Sequence, residues 1–72
     1  MVVEDYLTPL EVLRLQQLVD NGTVARAAKA ACVSKHTFKN ELAWIRAKLG
    51  VGTTLEAVLW ALRKGWIRVG RG

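Results

Sequence analysis

The sequence predicts an all-α domain of four short helices. Three observations carry this. Apolar residues recur at helical spacing, cap-and-stop signals punctuate the chain repeatedly, and no stretch alternates like a strand except, weakly, residues 66–69. The chain has 72 residues, 51% of them hydrophobic, which is enough for one small packed core and too apolar for a disordered segment.

Residues 1–7 form an acidic lead-in, expected to be partly disordered or to pack loosely through Val3, Tyr6 and Leu7. Thr8 then caps helix 1. Pro9 takes the first helical position, and Glu11, three residues after the cap, completes a capping box. Leu7 is placed to staple against Val12 or Leu13. The helix is expected over about residues 9–20, with Leu10, Leu13, Leu18 and Val19 inward, and Asn21-Gly22 stops it. Thr23 caps an alanine-rich helix over about residues 24–31, whose small side chains allow a neighbour close. Cys32-Val33-Ser34 is a tight turn. Val33 is expected to plug the core, and Cys32 to act as a small hydrophobe.

Ser34 caps the third helix, residues 35–48. Phe38, Leu42, Ile45 and Leu49 fall at i, i+4, i+7 and i+11 and define its buried face; Gly50 ends it. Thr53 and Glu56 form a second capping box, which opens helix 4 over about residues 54–64. Leu55, Val58, Leu59 and Leu62 make one stripe on it, and Ala57, Trp60 and Ala61 part of a second apolar face. Gly65 closes the helix and Trp66-Ile67 folds back on the bundle. The organisation is thus a lead-in (1–7), a domain (8–67) and a mobile basic tail (68–72).

The formal charge of +5 is unevenly placed. Residues 1–25 hold one base (Arg14) against four acids; residues 26–48 hold six bases against Glu41 alone. A basic region of this kind is the footprint of a polyanion partner. No apolar run reaches the ~20 residues that span a bilayer, so no membrane partner is expected. One cysteine makes neither an internal disulfide nor a cysteine-based zinc site, which points to a reducing, cytoplasmic setting. With no nucleophile–base pair, metal cluster or phosphate loop, the sequence suggests neither an enzyme nor a cofactor.

Two helices joined by a tight turn, 24–31 and 35–48, with a helix on each side, read as a helix-turn-helix core. In that geometry the second helix enters the DNA major groove, its N-terminal half toward base edges.

At this point the sequence resembles the LuxR/GerE-type helix-turn-helix DNA-binding domain. The matching features begin with Leu7-Thr8-Pro9-x-Glu11, Ala27-Ala28 and Val33-Ser34-x-x-Thr37-Phe38-Lys39-x-x-Leu42. Ile45-x-x-Lys48-Leu49-Gly50-Val51, Ala57-Val58 and Leu62-x-x-Gly65-x-Ile67 complete them. Glu41 differs, since the family often has a histidine there. The resemblance implies a four-helix, winged-helix-like fold without a clear wing and a transcriptional regulator that binds double-stranded DNA. It also implies a homodimer on a palindromic site, joined through helix 4 by Ala57, Trp60 and Ala61.

On this reading Lys39 reaches DNA from mid-helix, as in the family. Asn40 pairs with adenine, His36 lies on the same face, and Ala43 offers a methyl to thymine. Lys35 and Thr37 favour phosphates, with Thr23, Arg26, Lys29, Arg46 and Lys48 as further phosphate candidates. The competing expectation is a protein-interaction module of the same fold that binds RNA polymerase or another regulator.

Overall fold

Every helix starts on a hydroxyl. In the computed structural model, which describes residues 7–69, the four helices are α1 (Pro9–Asn21), α2 (Val24–Ala31), α3 (Lys35–Leu49) and α4 (Thr54–Lys64). Thr8, Thr23, Ser34 and Thr53 are the N-caps, accepting from the backbone N–H of Glu11, Arg26, Thr37 and Glu56. Both expected capping boxes form. Each satisfies N-terminal donors that the helix itself leaves unpaired.

The last three helices end alike. Cys32, Gly50 and Gly65 adopt the left-handed conformation, and the next residue (Val33, Val51 or Trp66) returns its N–H to a carbonyl five residues back. Those three apolar residues then pack against the core. Val33 is therefore the plug the sequence suggested. Cys32 is not a buried hydrophobe. It is exposed at φ 60°, because the turn needs a left-handed residue there and points its side chain outward.

The core consists of Leu7, Leu15, Ala27, Ala28, Phe38, Leu42, Ile45, Ala57, Ala61 and Ile67. Phe38, Leu15 and Ile45 are its largest fully buried members. The α3 stripe is as expected, with Leu49 half-buried at its end. Leu7 is buried, so it does not belong to a loose lead-in. Val3 and Tyr6 lie outside the described residues.

Two helices are rotated from their expected orientation. On α1, Leu10 (49% exposed) and Leu13 (46%) face outward, while Leu15 and Arg14 face inward. The cause is Arg14. Its guanidinium reaches Glu41 on α3, hydrogen-bonds Gln17 (3.1 Å) and lies 6.0 Å from the Phe38 ring centroid. That anchor turns the 11, 14/15, 18 face to the core. On α4, Leu55 (67% exposed) and Leu59 (49%) face outward, and Ala57 and Ala61 are buried. Buried alanines bring the α4 backbone close to the bundle, a position that leucine would hold apart.

No strand forms among the described residues, including 66–69. The Gln16 side chain fastens this stretch instead. Its amide donates to the Arg68 carbonyl (2.8 Å), and its Oε1 accepts from the Arg68 N–H (2.9 Å). Arg68 is thus tied to α1 and is not part of a free tail; residues 70–72 lie outside the described residues.

Candidate nucleic-acid interface

At 3.6 residues per turn, α3 divides into four strips, each with i, i+4, i+7, i+11 or similar spacing. Phe38, Leu42, Ile45 and Leu49 form the core strip. Thr37, Glu41, Trp44 and Lys48 form the strip turned toward α1. His36, Asn40, Ala43 and Ala47 form the outermost strip, and Lys35, Lys39 and Arg46 lie between that strip and the core.

The outermost strip holds three of the expected base-reading residues, with Lys39 on the strip beside it. His36, Lys39 and Asn40 are exposed, and Ala43 is half-buried. The amide nitrogen of Asn40 lies 3.3 Å from His36 Nε2. Ala47, which the sequence also puts on this face by its i+4 spacing from Ala43, is exposed on the same strip.

The expected phosphate-binding residues are dispersed. Lys35 and Thr37 are exposed on opposite sides of the first turn of α3. The Thr37 hydroxyl sits 3.0 Å from the Ser34 hydroxyl, which also caps the Thr37 N–H. The first turn of a helix carries a partial positive charge, which favours an anion. The Thr23 hydroxyl caps α2 by accepting from the Arg26 N–H (3.1 Å). Arg26 and Lys29 are exposed and share an open cleft with Asp20, Asn21 and Ala30. Arg46 is half-buried and donates to the Thr54 hydroxyl (2.8 Å); it lines a depression with Val24, Lys39 and Leu42.

Lys48 stands apart from the other candidates. It pairs with Glu11 of α1 (2.7 Å), on the strip facing away from Lys39. The pair engages the lysine ammonium, although the side chain stays 40% exposed. Glu41, which departs from the family pattern, is turned the same way and pairs with Arg14 across the α1–α3 contact. Nothing in the sequence links those two residues, which are 27 positions apart. Arg14–Glu41 and Lys48–Glu11 are the two ion pairs among the described residues.

The expected dimer residues are also redistributed. Ala57 and Ala61 are sealed in the chain's own core and offer no surface to a partner. Trp60 is half-buried against Trp66, with ring centroids 5.1 Å apart and Lys64 Nζ 5.0 Å from its own. The apolar surface that α4 does present is Leu55 and Leu59.

Neither a family model, nor a curated protein, nor a solved structure matches this chain. The geometry of α3 therefore carries the functional argument.

Proposed function

We propose that this domain is a LuxR/GerE-type helix-turn-helix transcriptional regulator that binds double-stranded DNA sequence-specifically, with α3 in the major groove. The observation that carries the reading is the free side of α3. His36, Lys39, Asn40 and Ala43 lie together with no carboxylate among them, beside Lys35 and Arg46, and both nearby acids are turned away and paired. Donor-rich side chains on an exposed helix face match guanine and adenine edges, and the flanking cations match phosphates. In this reading two copies meet through Leu55 and Leu59 on α4 and place their α3 helices about 34 Å apart, one turn of DNA.

Selection of bound sequences from a random duplex pool tests site, symmetry and half-site spacing together. The expected product is a palindrome, bound with an affinity that falls steeply with salt. Absence of any salt-dependent duplex complex would remove the proposal.

A specific feature favours a second reading, a protein-interaction module for RNA polymerase or another regulator. Trp44 is 64% exposed and, with Leu10, edges a groove of about 120 Å³ between α1 and α3. Exposed apolar clusters of this kind mark protein contacts. Duplex binding that persists in Trp44→Ala separates the two readings.

A further inference from the structure

Lys39, Leu42 and Arg46 follow one another at i, i+3 and i+7, so one flank of α3 carries a cation, an apolar step and a second cation. All three line one depression of about 280 Å³. Val24 and Thr54, the first residues of α2 and α4, complete it. No carboxylate lines it. Glu41, the one acid of α3, is turned to Arg14, and Glu56, the one acid of α4, accepts from the N–H groups of Gly52 and Thr53. Helix α2 has no acid. The depression is therefore basic, with the apolar side chains of Val24 and Leu42 in its wall.

Arg46 is held in place there. It is half-buried, and its Nη1 donates to the Thr54 hydroxyl (2.8 Å). A guanidinium presents five N–H donors in a rigid fork; this bond uses one and restrains the plane of the rest. The Thr54 oxygen accepts, which leaves its own O–H to donate. Lys39 is exposed and makes no ion pair among the described residues. A phosphodiester meets each of these features. Its anionic oxygens answer the fork, the ammonium and the hydroxyl, and the sugar carbons beside it meet Val24 and Leu42. A base edge fits less well. With α3 in the major groove, base edges lie opposite the outermost strip, whereas a strip set back toward the core meets the phosphates along the groove wall.

We propose that Lys39 and Arg46 form a seat for one phosphate of the DNA backbone, with Thr54 as the positioning residue that holds Arg46. Lys39 then fixes the register of α3 and leaves base edges to His36, Asn40 and Ala43, which departs from the task that the family resemblance gives it. The inference rests on the DNA-binding reading above. Because the Thr54 bond already orders the guanidinium, less side-chain freedom is lost when a phosphate arrives.

The experiment uses the full chain and a duplex selected from a random pool, with each backbone phosphate of the site replaced in turn by a neutral methylphosphonate. Several replacements should weaken binding by the parent. At one of them the loss, roughly tenfold in the parent as for a charge-assisted contact, should nearly vanish in both Lys39→Ala and Arg46→Ala. Each of these two variants should still select the parent's sequence. Thr54→Val removes the acceptor that holds Arg46. It should weaken binding less than Arg46→Ala does and shrink the loss at that same phosphate, and Thr54→Ser should restore both. Circular dichroism and thermal unfolding, expected to match the parent's, separate this from a defect of the fold. Lys39→Ala that selects a different base at one position, or that keeps the full loss at the phosphate Arg46 senses, overturns the seat while duplex binding stands. Thr54→Val with the parent's affinity and phosphate profile overturns the positioning role. Loss of all salt-dependent duplex binding, even in the parent, overturns the DNA-binding reading and this inference with it.

Discussion

The two flanks of α3 carry similar residues and use them in opposite ways. Toward α1, Glu41 and Lys48 each find a partner, Arg14 and Glu11, and their charges cancel within the fold. On the other flank, Lys35 and Lys39 are exposed and make no ion pair among the described residues. A tally along the sequence adds all of these as one basic region. The fold instead divides them into internal pairs, which orient α1, and a free set, which projects a field. The free flank is more uniformly positive than the sequence suggests, because the one acid of α3 has been turned off it.

Substitutions that exchange the roles of the two flanks test this division. The largest effect is expected on the free flank. Lys39→Glu should lower duplex affinity at least about a hundredfold, roughly 2.7 kcal/mol, while circular dichroism and thermal unfolding stay unchanged. A drop in stability instead would mean that Lys39 holds the fold and does not face a ligand. Next comes the paired flank. Glu41→Ala leaves the Arg14 guanidinium nearly buried without its carboxylate and should cost about 2 kcal/mol in denaturant unfolding. The selected DNA sequence should not change, since Glu41 faces α1; an altered site would place it at the bases. A smaller effect follows for Lys35→Ala. It should weaken all duplexes alike, by about 1 kcal/mol, and reduce the slope of log affinity against log salt by about one. Lys48→Ala should leave that slope alone.

How far the sequence reveals these features depends on how distinct the faces of each helix are. The four faces of α3 differ in chemistry, so its cap, core stripe, stop and exposed polar face were all legible, and the all-α architecture with them. Helix α1 has apolar residues all around: Leu10, Leu13, Leu15 and Leu18 fit more than one inward face. Its rotation is decided by Arg14 meeting Glu41 and Phe38, a contact between distant parts of the chain that periodicity does not encode. On α4 the choice fell to volume. Hydropathy favours burying Leu55 and Leu59, whereas close packing selected Ala57 and Ala61. The Lys48–Glu11 pair was illegible for the same reason as the α1 face, because its two residues lie far apart in the sequence.

The Glu11–Lys48 pair gives the smallest effect and the most direct check on which flank a charge serves. Partial burial pushes the Glu11 carboxyl up, but the hydrogen bonds from Lys48 and the Thr8 N–H, with the lysine's charge, outweigh it and hold the group below its ordinary 4.5. A carboxyl depressed on folding stabilises the fold above its ordinary value and loses that contribution as pH falls through the folded value. Lys48→Met keeps the apolar stem and removes the charge. With the lysine 40% exposed, solvent screening limits the loss near neutral pH to at most about 0.5 kcal/mol. The gap between parent and variant should narrow as pH drops below 4.5 and close once Glu11 is protonated in both. Urea unfolding at a series of pH values measures it. A gap that stays constant with pH would assign Lys48 to packing alone. A gap that is absent at neutral pH, together with a reduced salt slope for duplex binding, would move Lys48 from the paired flank to the free one.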